Sequence, residues 1–152
     1  MKFRKKHSQF PQPAIAWAFK QLPDSGEAYA VFTYGREEVD LNFEDRSVTQ
    51  KEAKPVYEGI LRQLDMLVKK SVPVLIALHQ QLFENEYEEQ QCSFGLFGIE
   101  VLTENREEYI VRLDFSLDSR KNIELDPYFT YSSEFKKEQF PDRLTLVGVQ
   151  RR

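Results

Sequence analysis

A helical stretch at residues 51–84, with segments of strand periodicity on both sides, constrains this chain more than any other feature of the sequence. Ala53, Val56, Tyr57, Ile60, Leu61, Leu64, Leu67 and Val68 recur at i, i+3, i+4 and i+7, the apolar stripe of an amphipathic helix. Thr49 followed by Glu52 has the form of a capping box. Pro55 is compatible with this helix in its first turn, where the missing N–H costs nothing. Lys69 and Lys70 suit a helix C-terminus. Ser71 and Pro73 then predict a break and a second helix through Val74, Leu75, Leu78, Leu82 and Phe83. This second half is the more apolar all round and is expected to be the more buried.

The flanking segments read as strands. Residues 28–34 are rich in aromatic and β-branched side chains, and Gly35-Arg36 gives a turn. Val39, Leu41 and Phe43 alternate with Asp40, Asn42 and Glu44, the period of a half-buried strand. On the C-terminal side, residues 93–102 predict a strand whose Gly95 and Gly98 mark a bulge or a place of close packing. Tyr109, Val111, Leu113, Phe115 and Leu117 form one face of the next strand, with residues 104–107 as the connecting loop. A strand over residues 123–131, a polar loop over 132–142 and a last strand over 144–149 complete the order ββ-αα-ββββ. Before all of these, the apolar patch at residues 14–19, with Trp17, is a short helix or a segment lying across the core. The expected fold is α+β: an antiparallel sheet with a two-helix block packed on one face.

Length and composition place all 152 residues in one globular domain, with residues 1–9 as a flexible basic arm. Lys2, Arg4, Lys5 and Lys6 carry +4 of a chain whose net charge is −4, which leaves −8 on the remainder. An acidic body argues against a nucleic-acid partner and leaves room for a basic one. No apolar run is long enough for a membrane span or a secretory leader, and the lone Cys92 suits a reducing compartment, so a cytoplasmic location is expected.

No catalytic signature stands out, and the enzyme question leans towards no. Cys92 and His79 lack a nucleophile context, and His79 is expected at a helix surface or boundary. No spacing of His or Cys suits a metal, no glycine-rich phosphate loop is present, and no cofactor is expected. The candidate partner-binding residues are the acidic run Glu84, Glu86, Glu88 and Glu89 with Tyr87 in its midst. To these add the sheet-face carboxylates Asp114, Glu124 and Asp126 and the aromatic anchors Tyr128 and Tyr131. Asp118 shares the face of Asp114.

Residues 109–117, 122–125 and 144–149 (LTLVGV), following paired helices, resemble small bacterial α+β proteins of the polymorphic-toxin immunity type. In similar proteins a Trp-Asp or Glu-His-Gly motif closes a strand where this chain reads Leu117-Asp118-Ser119-Arg120-Lys121-Asn122. The resemblance implies a stoichiometric inhibitor of a partner protein, such as a basic toxin domain, and transfers no catalytic residue. The expected function is therefore a non-enzymatic protein-binding domain, a monomer or homodimer without a nucleic-acid or membrane partner. The alternatives are a small hydrolase or ligand-binding domain using the sheet-face carboxylates, and a homo-oligomeric structural protein.

Overall fold

A computed structural model describes residues 15–20, 28–83, 92–103, 108–119, 130–138 and 143–152. Its strands are β1 (Trp17–Phe19), β2 (Ala30–Tyr34), β3 (Glu37–Phe43), β4 (Cys92–Thr103), β5 (Tyr109–Ser119), β6 (Thr130–Glu138) and β7 (Arg143–Arg151). Helices α1 (Gln50–Arg62) and α2 (Leu64–Phe83) lie between β3 and β4. The strands form a single sheet in the order β1-β2-β3-β4-β5-β6-β7. The mixed α+β class and the order of its elements follow the sequence expectation, with two corrections. The patch around Trp17 is neither helix nor crossing segment but an edge strand against β2. The sheet is antiparallel except for β3 and β4, which run parallel, because the helical pair returns the chain to the same end of the sheet before β4 begins.

Alternation sorts the strands into two faces. One rung of Cα partners runs Ala30, Leu41, Ile99, Leu113, Ser133, Val149, and a second runs Phe43, Val101, Val111, Phe135, Leu146. These residues meet the helices. Tyr57 of α1 is fully buried, with its ring 5.5 Å from Phe43, 5.7 Å from Trp17 and 6.1 Å from Phe19. Its hydroxyl donates to the Ala28 carbonyl at 2.5 Å. Ser71 of α2 bonds Ser133 of β6 at 2.7 Å, and His79 of α2 bonds the Tyr131 hydroxyl. Because Ser71 already donates to Leu67 C=O at 2.8 Å, the Ser133 hydroxyl is the donor between the two serines.

The helical block breaks in a different place from the one expected. Thr49 caps α1 with the full capping box, Glu52 N–H donating to Thr49 Oγ1 and Thr49 N–H to Glu52 Oε1, each at 3.1 Å. The chain leaves the helix at Gln63 (φ −104°, ψ 2°), not at Ser71–Pro73. Gln63 N–H donates to Ile60 C=O, one residue short of its helical partner, and the Gln63 side-chain amide donates to the stranded Gly59 carbonyl instead at 3.2 Å. The same side chain accepts from Leu144 N–H of β7 at 3.4 Å, so the break is pinned to the sheet edge. Pro55 lies in the second turn of α1, not the first, and Pro73 lies within α2. Both prolines and the residues four before them, Lys51 and Lys69, are exposed, so each freed carbonyl lies on the side open to water.

The second half of the block is also less buried than expected. Leu75 and His79 reach the core, while Val74 and Leu82 are exposed. His79 is buried, not a surface or boundary residue. Finally, 132–138 is strand, not loop: Ser132 and Ser133 are fully buried and pair with Asp114 and Leu113. Of the expected strand at 123–131, residues 123–129 lie outside the described residues, as do the loops at 104–107 and 139–142.

Candidate functional site

Away from the helices, the other face of the sheet carries the alternate residues of every strand. Its central rungs are Asp40, Gly98, Asp114, Ser132, Gln150 and Asn42, Glu100, Arg112, Glu134, Gly148. Arg112 stands between two carboxylates. Its Nη2 lies 2.6 Å from Glu100 Oε1 and its Nε 3.1 Å from Asp114 Oδ1. The Asn42 amide adds a long contact to Glu100 at 3.5 Å. The three charged side chains are only 16–22% exposed. Burial therefore pushes the Asp114 carboxyl above its ordinary value. Arg112 opposes that shift, first as a charge and then as a donor, Arg152 opposes it more weakly, and Glu100 adds to it.

Two β-bulges shape this face. The register of β4 on β5 slips between Leu96 and Gly98, and that of β7 on β6 between Leu146 and Gly148. Arg152 N–H donates to Thr130 C=O at 2.7 Å, so the even-numbered residues of β6 direct their backbone groups to β7. By alternation the odd ones direct theirs to β5, and Arg112, Asp114 and Ser116 direct theirs to β4. Asp114 and Glu134 are thus the residues that a bulge pair opposes: Phe97 with Gly98, and Val147 with Gly148. In such a bulge both residues present the same face as the one opposite. Phe97 and Val147 are accordingly turned onto the charged face, where they are 43% and 55% exposed. Glycine is the second residue of each bulge. A Cβ on Gly98 would stand 3.7 Å from Asp114 Oδ2, and one on Gly95 3.7 Å from Ser116 Oγ.

Ser132, directly across from Asp114, is fully buried, and its hydroxyl has no hydrogen-bond partner among the described residues. A buried hydroxyl without a partner is costly in a folded protein. At the β1 side of the face, Lys20 approaches Glu38 at 3.7 Å and lies over the Tyr29 ring.

Of the candidate residues read from the sequence, Asp114 lies at the centre of this face. Tyr131 does not reach a surface. It is fully buried against His79 and Phe94, which removes it as an interface anchor and makes it a core residue. Glu84, Glu86, Tyr87, Glu88, Glu89, Glu124, Asp126 and Tyr128 lie outside the described residues, as does the side chain of Asp118. The sequence pattern does not mark Phe97, Val147, Glu100, Arg112, Ser132 or Glu134 as parts of a site. The available signal for Phe97 was the glycine pair at 95 and 98, which marked a bulge without saying which side chain it would expose.

Among the described residues no three His, Cys, Asp or Glu side chains are grouped so as to hold a metal ion, and no helix is long and apolar enough to cross a membrane. Compared with known proteins, the chain matches no family model, no curated protein and no solved structure.

Proposed function

We propose that this chain is a non-enzymatic protein-binding domain, acting in the cytoplasm as an inhibitor of the immunity type, and that it docks a basic partner on the face of the sheet away from the helices. The observation that carries this reading is Phe97, a large apolar ring held out by a bulge beside a partly desolvated charge cluster. Interface centres are built on aromatic anchors in desolvated surroundings. Charge supports a basic partner. On β3, β4 and β5 the centre of the face carries Asp40, Glu100 and Asp114 against Arg112. The neighbouring Arg112 ion pairs fix the face before binding, which lowers the ordering cost of association.

The test is site-specific photocrosslinking in cells of the native host. A benzoylphenylalanine is placed at Phe97, and at the exposed Ala77 of α2 as a control. The expected result is a one-to-one adduct from position 97 with a basic protein identified by mass, absent from position 77 and lost on Asp114→Lys. An adduct at twice the mass of this chain would replace the proposal with self-association. Equal adducts from both positions, an acidic partner or no adduct would overturn it.

A further inference from the structure

Resting on that docking surface, we infer that the partner is held by one cationic side chain, an arginine, seated against the Asp114 carboxylate and the Phe97 ring, with the Ser132 hydroxyl beneath.

The inference starts from an imbalance at Asp114. This carboxylate is only 18% exposed and has one oxygen, Oδ1, engaged by Arg112 Nε at 3.1 Å. Arg112 also serves Glu100 at 2.6 Å, so one guanidinium is shared between two carboxylates. Burial outweighs Arg112 and the weaker pull of Arg152 in setting the Asp114 carboxyl, which remains above its ordinary value. A second cation at Oδ2 would offset that desolvation, and charge-assisted bonds are about twice as strong as neutral ones.

The surroundings of Oδ2 suit such a group. Gly98 contributes no side chain between Oδ2 and the strand. Phe97, the other residue opposite Asp114, presents an exposed ring on the same face of the sheet, and guanidinium groups favour a carboxylate flanked by an aromatic ring. Independently of the carboxylates, the Ser132 hydroxyl is fully buried on the same face, lacks a partner among the described residues, and sits across the strand pair from Asp114. A hydroxyl is able to accept from a guanidinium donor. Arginine is preferred over lysine because its planar fork can bind a carboxylate while stacking on a ring.

The experiment titrates the full chain with N-acetyl-arginine methylamide, and with its neutral isostere N-acetyl-citrulline methylamide, while following backbone amides by heteronuclear NMR. Saturable shifts at Gly98, Asp114 and Ser132 with the arginine probe, and none with citrulline, are expected. Asp114→Asn should abolish them, and Phe97→Ala should weaken binding by roughly 3-fold, the size of an exposed cation–π contact. Should Asp114→Asn fail to fold, Gly98→Ala decides. Its methyl would sit at ordinary contact distance from Oδ2, 3.7 Å, keeping every charge while crowding the seat, and it should weaken the arginine probe. Equal shifts with citrulline, or wild-type binding in Asp114→Asn or Gly98→Ala, would overturn the cation seat. If the probe fails while the crosslink from position 97 persists, only the seat is lost. If both fail, the docking surface goes with it.

Discussion

Tyr57 shows how much of the fold rests on single side chains. Its ring is surrounded by Trp17 and Phe19 of β1 and Phe43 of β3, and its hydroxyl donates to the Ala28 carbonyl. The chemistry of the residue separates into these two parts. Tyr57→Phe keeps the ring and leaves the buried Ala28 carbonyl without that donor, for an expected loss of about 1–2 kcal/mol. Tyr57→Ala also removes the ring and should lose about 3–5 kcal/mol. Urea unfolding of the two variants measures both, and a Tyr57→Phe protein as stable as the parent would show that the hydroxyl contributes nothing. The buried polar residues of α2 and β6 are the opposite case in terms of legibility. Ser71, His79, Ser132 and Ser133 are all buried, yet in the sequence Ser132-Ser133 reads as loop because neither has an apolar side chain. What places Ser71, His79 and Ser133 inside is pairing across elements, Ser71 to Ser133 and His79 to Tyr131, and such partners lie more than fifty residues apart in the chain.

At the scale of elements, legibility follows how local the determining interaction is. The capping box at Thr49, the apolar alternation of β3 and β5, and the turn at Gly35, which takes a positive φ of 66°, all depend on neighbours a few residues away, and all are found where the sequence predicts them. The break in the helical block depends on Gln63 reaching Leu144 of β7, a contact with no local trace. The local signal at Ser71–Pro73 was real but was overridden, because Pro73 projects from the exposed side of α2 and forfeits a bond that water can replace. Likewise the glycines of β4 marked a bulge, but only its register against β5 shows that Phe97 is turned outward. A consequence concerns Pro73 directly. If it does not create the break, Pro73→Ala should stabilise α2 by restoring the bond to the Lys69 carbonyl. The expected gain is about 1–2 kcal/mol, less than the ~3 kcal/mol cost of an interior helix proline because proline also restricts the unfolded chain. Denaturant melts read the sign, and a loss of stability on Pro73→Ala would show that the ring supports a bend.

For the whole molecule, the packing of aromatic residues between sheet and helices makes stability depend on alkaline pH. Burial raises the Tyr131 hydroxyl to about 12, with Arg151 opposing it; on the other face of the sheet, Tyr29 is also raised to about 12, by burial and by its bond to Asp40. Tyr57 is raised further by burial alone, and Tyr34 by burial and by its bond to Asp65 at 2.7 Å. In the unfolded chain these groups ionise near 10. Between that value and their folded values the native state holds more protons than the unfolded state, so stability must fall as pH rises. Below pH 10 the contribution is fully present. Above it, these tyrosines together draw the equilibrium towards unfolding. The urea midpoint should therefore be flat between pH 7 and about 9 and decline beyond 10. The part of the 295 nm tyrosinate absorbance that is absent from Tyr57→Phe or Tyr131→Phe should then rise together with the loss of far-ultraviolet circular dichroism rather than ahead of it. Tyr57→Phe and Tyr131→Phe should each flatten the decline, whatever they cost at neutral pH, because each removes one group with a raised folded value. If the tyrosinate signal of Tyr57 or Tyr131, read as the absorbance its Phe variant loses, appears near pH 10 while the chain retains its full circular dichroism, these hydroxyls are open to water and the aromatic layer between α1, α2 and the sheet is looser than its contacts imply.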